Sequence, residues 1–322
     1  MLDIDIINDI PVISVFMTTY NHEPYIAQAL DSILMQCFSK PYEICISDDC
    51  STDKTCEIIK EYQKKHLNIR LNINHPNIGL SKNVYLVRKM CRGKYLINLS
   101  GDDYWIDPNK LQMQYDFLET HPNYLAVCTA IQVRADNETI PLAIEPESQF
   151  LGTDITLQDF LNGHNMTTHG IMFRNVYQDP QTEDLFSIMP KMSPYIDDIT
   201  DELLLHLSGK IYTLPSQTMV YRVRRSIKTD HNFGSINKGM SFFQKHIDLM
   251  NNLSIQFPNL DFSIRYIEII SNGFLTALKS LQLTQFTEIC RSIPNTYKKR
   301  HVIRKAFLQI PAKLIERMHN TW

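Results

Sequence analysis

The chain has 322 residues, 43% of them hydrophobic and 21% charged, with a formal net charge of -3. That length suits one α/β domain with an appendage, and the near-neutral balance excludes a protein that binds polyanions with its whole surface. Seven cysteines, an odd number with no Cys-x-x-Cys pair, argue against a disulfide framework or zinc site and for a reducing compartment.

The opening Met1-Leu2-Asp3-Ile4-Asp5 is acidic and interrupted, unlike a secretory signal. No apolar run approaches the roughly 18 residues of a membrane span, so a cytoplasmic location is expected. Residues 12–17 form a short β-branched run that reads as a central strand. A polar loop, Thr18-Thr19-Tyr20-Asn21-His22-Glu23, follows, and Pro24 stands where a helix would start. Ile26, Ala29, Leu30, Ile33 and Leu34 then recur at helical spacing. Residues 42–47 are a second strand ending in Asp48-Asp49, 53–66 a second helix, 69–73 a third strand and 80–91 a third helix. Residues 95–99 are a fourth strand, leading into Ser100-Gly101-Asp102-Asp103-Tyr104-Trp105. The first glycine of the chain is Gly79, so the opening strand and helix carry neither a dinucleotide fingerprint nor a phosphate loop.

This alternation predicts a Rossmann-like, mostly parallel sheet flanked by helices. Polar loops and acids fall after the first, second and fourth strands, on the edge where open α/β sheets bind ligands. Gly101 lets the backbone turn, and two adjacent carboxylates there suit Mg²⁺ or Mn²⁺ bridging a diphosphate. A turn with two solvated acids is the competing reading. Further on, residues 107–120 read as a helix, 124–133 and 169–174 as strands, and 179–198 as an acidic, Pro-broken mobile loop. Residues 199–207 read as a helix, and 210–214 and 218–223 as two short strands. Helical periodicity over 242–253, 263–281 and 306–318 predicts a helical appendage. The domain boundary is placed at 225/226, with 1–225 carrying the chemistry and 226–322 helical.

In this order the motifs resemble glycosyltransferase family 2, the inverting enzymes of GT-A fold. The stretches are Val12-Ile13-Ser14-Val15-Phe16-Met17-Thr18-Thr19-Tyr20-Asn21 and Tyr42-Glu43-Ile44-Cys45-Ile46-Ser47-Asp48-Asp49-Cys50-Ser51-Thr52-Asp53. They continue with Asn77-Ile78-Gly79, Gly93-Lys94-Tyr95, Gly101-Asp102-Asp103-Tyr104-Trp105, Asp107-Pro108, Lys110-Leu111 and the later Tyr221-Arg222-Val223. The resemblance implies a nucleotide-sugar donor, a UDP-sugar, with Mn²⁺ or Mg²⁺, and a saccharide or lipid-linked acceptor in bacterial surface polysaccharide or glycolipid assembly. It implies that Thr18, Tyr20, Asn21, Glu23, Asp49, Lys82 and Asp102 bind the nucleotide. Tyr20 would stack on the base, and Asp49 would accept the uracil imide N–H while Ser51 or Asp53 caps the helix. Asp103, with Asp102, would hold the metal. Ser100 stands where many relatives carry a further acid, and Lys82-Asn83 stands where they often have Arg-Asn.

An inverting transfer needs a base for the acceptor proton. The dense acids are Asp197-Asp198-Ile199-Thr200-Asp201-Glu202. In the family the base lies shortly before a strand like Gly209-Lys210-Ile211; that spacing favours Asp198, with Asp201 as the alternative or as a helix cap. Trp105, Tyr104, His169 and Thr167-Thr168 are candidates for the acceptor side, each equally readable as ordinary packing. A GT-A-like binding module without turnover is the alternative function. A nucleotidyltransferase would need a basic Gly-rich loop near the start, which is absent.

From Arg291 onward the chain carries eight Lys/Arg against one acid, Glu316. Ile303, Phe307, Ile310, Leu314 and Met318 fall on one helical face, and Arg304, Lys305, Lys313 and Arg317 on another, with Trp322 at the end. Such a helix can lie on an anionic membrane or pack on a protein surface. No stacking module accompanies it, so nucleic acid is not an expected partner.

Overall fold

The computed structural model describes residues 10–135, 138–166, 168–223, 239–294 and 299–319, the side chains of 279–280 and 311–319 excepted. They divide into two compact units. One runs to Leu157 and resumes from Asn165 to Val223; the other joins Gln158–His164 to the chain beyond residue 223.

The first unit is a mixed α/β layer structure. Its strands are β1 (Ile13–Thr19), β2 (Tyr42–Asp48), β3 (Ile69–Ile73), β4 (Tyr95–Asn98), β5 (Tyr104–Trp105), β6 (Tyr124–Ala135), β7 (Ala143–Glu145), β8 (Asp154–Ile155), β9 (Met172–Arg174) and β10 (Lys210–Val223). The sheet order is β3-β2-β1-β4-β9-β6-β10-β5, with β7 paired to β6 and β8 to β10. β1 lies parallel between β2 and β4, every residue of it buried. Helices α1 (Ile26–Leu34), α2 (Thr55–Lys65) and α3 (Leu80–Lys89) are the crossovers between β1, β2, β3 and β4. The β1, β2 and β4 C-termini therefore end on one rim. α4 (Lys110–Thr120) follows β5.

Several expectations are corrected. The strand expected over 169–174 shortens to β9, and Thr168–Gly170 is a 3₁₀ turn that sets His169 outside the ladder. Thr167 lies outside the described residues. The two strands expected over 210–223 are one strand, β10, whose register against β6 shifts around Pro215. An irregularity next to the missing proline N–H absorbs the break that the sequence suggested. The loop expected over 179–198 contains two helices, α6 (Pro180–Phe186) and α7 (Met189–Met192). Pro180 occupies the first turn of α6, where a proline starts a helix, and Asp179 accepts from the Gln181 N–H as its cap. α8 (Asp198–Ser208) begins one residue earlier than expected, so Asp198 is itself helical.

The second unit is helical. Its long elements are α9 (Met240–Gln256), α10 (Ser263–Ser280), α11 (Leu283–Arg291) and α12 (Lys299–His319), and the short α5 (Leu157–Leu161) lies mostly within it. Val302, Ala306 and Ile310 of α12 are buried, Ser271 of α10 donates to the Ala306 carbonyl, and Phe307 meets the Phe274 and Phe286 rings. Of the apolar side named from the sequence, Ile310 is buried and Ile303 half-buried, while Phe307 touches those rings yet stays 41% exposed. The side chains of Leu314, Met318, Lys313 and Arg317, and Trp322, lie outside the described residues. No helix among them is long and apolar enough to cross a membrane.

Candidate active site

At the β1–β2 rim the loops are held by side chains that the sequence assigned to nucleotide binding. Asn21, at φ 55°, donates its N–H to Ser51 Oγ at 2.8 Å and accepts the Thr52 N–H at 2.9 Å. Glu23 accepts the Lys54 N–H at 3.1 Å and donates its own N–H to Asp53 at 3.0 Å. Asn21 and Glu23, expected to bind the nucleotide, fasten this loop to the one after β2. Asp48, fully buried, takes Thr19 Oγ1 at 2.7 Å and the Ser51 N–H at 2.8 Å. Asp53 accepts from the Thr55 N–H at the start of α2, and Ser51 does not cap.

Asp49 is 4% exposed. Its Oδ1 accepts from the Ile78 N–H at 2.8 Å and the Asn74 amide at 3.2 Å, and its Oδ2 from the Gly79 N–H at 2.9 Å. Gly79, at φ 85°, is the cap residue of α3, so the carboxylate sits against the positive end of that helix. A carboxylate has about four acceptor positions, so one remains after these three bonds. Thr18 is buried at the end of β1, whereas Tyr20 just beyond it is 48% exposed and presents a free ring face. Lys82 is exposed in the first turn of α3.

The β4–β5 turn lies alongside. A Cβ on Gly101 would stand 2.7 Å from His22 Nδ1 and 2.8 Å from Thr19 Cγ2, so only glycine allows this approach. Asp102 is partly exposed, 3.7 Å from His22 Nε2. Asp103 is fully buried, and its Oδ1 accepts the Arg222 N–H at 2.8 Å. The Arg222 guanidinium reaches the Asp102 carbonyl and Gln28, with its carbon 4.4 Å from the Tyr104 ring centroid. Trp105 is 1% exposed, its ring in the core and its backbone N–H donating to Ser32 Oγ at 3.0 Å. It cannot floor an acceptor site, and that expectation is corrected.

The third side of the site comes from β10, the Thr168–Gly170 turn and α8. The His169 and Tyr221 ring centroids are 4.6 Å apart. Burial holds His169 below the ordinary imidazole range, against the opposing pull of Asp198 and Asp102. Burial, with the charges of Asp103, Asp102, Asp198 and Glu145, pushes Tyr221 far above the usual phenol range. Tyr221 therefore stays a phenol at the meeting point of four carboxylates. Asp198 is exposed, accepting the Ile199 N–H. Its neighbour Asp197 is raised to about 7, by burial first and then by Asp198, with Arg88 opposing. Asp201, the alternative base, is turned the other way: it is 1% exposed and binds Arg88 through both oxygens at 2.6 and 2.7 Å. A carboxylate so buried and so paired with a guanidinium is closed to an acceptor hydroxyl, which corrects that assignment. Asp49 joins the same neighbourhood, since a Cβ on Gly79 would be 3.3 Å from the carbonyl oxygen of Pro194, in the loop leading to Asp198.

Beneath this group lies Lys110, fully buried, with Nζ at 3.0 Å from Thr129 Oγ1, 2.9 Å from Thr218 Oγ1 and 3.1 Å from the Gly170 carbonyl. Burial lowers it to about 7. It anchors the residue after His169 from behind. Sequence reading assigned no role to Lys110, Glu145, Tyr221, Arg222 or Arg88; only the quoted Tyr221-Arg222-Val223 and Lys110-Leu111 stretches hinted at three of them.

Asp102 and Asp103 offer hard oxygens, the chemistry that Mg²⁺ or Mn²⁺ takes together with water and substrate phosphate. No group of three His, Cys, Asp or Glu side chains able to hold a metal occurs among the described residues. The two acids therefore fit an ion completed by substrate and not an all-protein cage.

A parallel β1–β2–β4 core with its ligand rim backed by an antiparallel extension is the layout of GT-A glycosyltransferases. The description "Glycosyl transferase family 2" matches residues 14–179, more than half of the chain, and the chain belongs to that family. It is 30% identical over 215 residues to the Mycobacterium bovis protein Mb1547, covering 65% of this chain and 58% of that one. The chain thus spans less than two thirds of that relative's length. A poly(ribitol-phosphate) β-N-acetylglucosaminyltransferase of Staphylococcus aureus, TarS, is 37% identical over 112 residues, covering 34% of this chain and 19% of its own. The crystal structure of residues 1–349 of TarS with UDP-GlcNAc superposes with a TM-score of 0.61 at 17% identity, over 92% of this chain and 89% of that one. A Pyrobaculum calidifontis mannosyltransferase in complex with GDP-Man and Mn²⁺ gives 0.53 at 14% identity, over 94% and 88%. These superpositions establish the fold.

Proposed function

We propose that the protein transfers a sugar from a UDP-sugar to an acceptor hydroxyl, with inversion at the anomeric carbon, in the assembly of a bacterial surface polysaccharide or glycolipid. The observation that carries this reading is the gathering of Asp102, Asp103 and Asp198 around Tyr221 and His169. Tyr20 stacks on the uracil beside Thr18, and the remaining lone pair of Asp49 accepts the imide N–H. Lys82 draws the diphosphate as a point charge. Asp102 and Asp103 would hold the Mg²⁺ or Mn²⁺, which when bound supplies countercharge to the departing diphosphate.

Asp198 takes the proton of the acceptor hydroxyl as its oxygen forms the new bond to the anomeric carbon. The bond from that carbon to the diphosphate oxygen breaks with its electron pair, and UDP leaves. His169, kept neutral, and Tyr221, kept protonated, orient the acceptor oxygen without competing for its proton. The acceptor is a saccharide or a lipid-linked saccharide.

The test is UDP release from a panel of UDP-sugars with Mn²⁺, for the unmodified protein and Asp198→Asn. The variant should lose about 10²–10⁴-fold in turnover while binding UDP normally. Release of GDP from GDP-mannose would replace UDP with GDP in the reading. Ser100, standing where many relatives carry a further acid, supports a second reading, a donor-binding module without turnover. Under it UDP binds, but no sugar is released by either form.

A further inference from the structure

We propose that the buried Arg88–Asp201 pair is a positioning device that fixes the first turn of α8, and through it Asp198, against the donor half of the site. It rests on the transferase reading above. The two side chains are each 2% exposed, and their four-atom fork closes at 2.6 and 2.7 Å. Burying an ion pair strips water from both ions, and apolar isosteres often leave a fold as stable or more so. What such a pair supplies that apolar residues do not is one defined geometry, because a planar guanidinium accepts a carboxylate in one plane.

Both ends of the fork are anchored. The Arg88 guanidinium carbon lies 4.6 Å from the Phe16 ring centroid and 5.5 Å from that of Phe173, and Nη1 donates to the Tyr177 hydroxyl at 3.3 Å. Phe16 belongs to β1, the strand that delivers Thr18 and Tyr20. Arg88 rides on α3, whose start is gripped by Asp49. Asp201 closes the first backbone bond of α8, donating its N–H to the Asp197 carbonyl at 2.8 Å. The cap residue Asp197 makes no side-chain capping bond, so the usual device for fixing a helix start is missing here. The fork takes its place one turn in. Asp197 faces Asp198 and Asp201 on its own segment and Arg88 from α3, and Asp198 faces Glu145 and His169. Arg88 therefore also opposes the rise of the Asp197 carboxyl beside Asp198.

The experiment compares the unmodified protein, Arg88→Lys and the paired isostere Arg88→Met/Asp201→Leu. Three quantities are read: kcat for release of UDP from the UDP-sugar that the unmodified protein turns over, the Kd of UDP with Mn²⁺ by calorimetry, and the pH profile of kcat. The double variant should keep its Tm and hold UDP within threefold, while kcat falls at least tenfold and the acidic limb of the profile moves to higher pH. Arg88→Lys keeps the charge and loses the fork, so its kcat should fall by an intermediate factor with the acidic limb in place. A folded double variant with kcat within twofold of the unmodified protein overturns the proposal. If the double variant does not fold, full kcat in Arg88→Lys overturns it alone. Absence of UDP release by the unmodified protein sinks the transferase reading and this inference with it; release by that protein and by a fully active double variant sinks the pair only.

Discussion

Asp49→Asn separates the helix-holding role of that carboxylate from its proposed base-reading role. Asp49 accepts the Ile78 and Gly79 N–H groups, one on each oxygen. An asparagine offers one oxygen and one NH₂, so either backbone N–H faces a donor. A buried donor left unsatisfied costs about 1–3 kcal/mol, and losing the negative charge at a helix N-terminus adds about 0.3–1 kcal/mol. The sum, roughly 1–4 kcal/mol, corresponds to about 3–16 °C in Tm for a unit of this size. Differential scanning fluorimetry measures it directly. Calorimetry with UDP adds the second half: if the last lone pair also reads the imide, Kd should rise about tenfold, the equivalent of one lost hydrogen bond. A Tm within 2 °C of the unmodified protein would refute the structural argument, and an unchanged Kd would remove Asp49 from the base-binding set.

Gly101→Ala drives a Cβ to 2.7 Å from His22 Nδ1 and 2.8 Å from Thr19 Cγ2; urea unfolding should show about 1–3 kcal/mol of destabilisation, with weaker UDP binding. Tyr20→Ala removes an exposed ring from the rim and should raise the UDP Kd by about 5–150-fold at unchanged Tm, since base–aromatic stacking is worth about 1–3 kcal/mol. Lys110 titrates at about 7 when folded, against about 10.4 unfolded. Between those values the unfolded chain holds the extra proton, so this group makes stability rise with pH across that window. Lys110→Met should flatten the rise: from pH 7 to 9 the unmodified protein should gain about 1–3 kcal/mol over the variant in urea melts.

The β1-to-β4 half was legible because each strand is an apolar, β-branched run and each crossover helix keeps its own period. The acids at Asp49, Asp102, Asp103 and Asp198 were legible as motif positions. What they bind to in the folded chain was not. Asn21 and Glu23 read from the sequence only as polar neighbours of Tyr20; that they also tie this loop to Ser51, Thr52, Asp53 and Lys54 of the next one shows only in space. Trp105 follows the acids directly, but a two-residue strand pairs it with Met219 and turns it into the core. Pro180 looked like a breaker and is a helix starter. Arg88 on an amphipathic helix reads as a solvated cation, and only its partner 113 residues away shows otherwise.

A crystal structure of the protein with UDP and Mn²⁺ tests the central claim most directly. The expected result is uracil against Tyr20, an anomalous manganese signal between the diphosphate and Asp102–Asp103, and Asp198 facing the space beyond the β-phosphate. Nucleotide bound instead at the opposite edge of the sheet, in the 860 Å³ cavity bordered by Arg92, Lys94 and Tyr115, would contradict it.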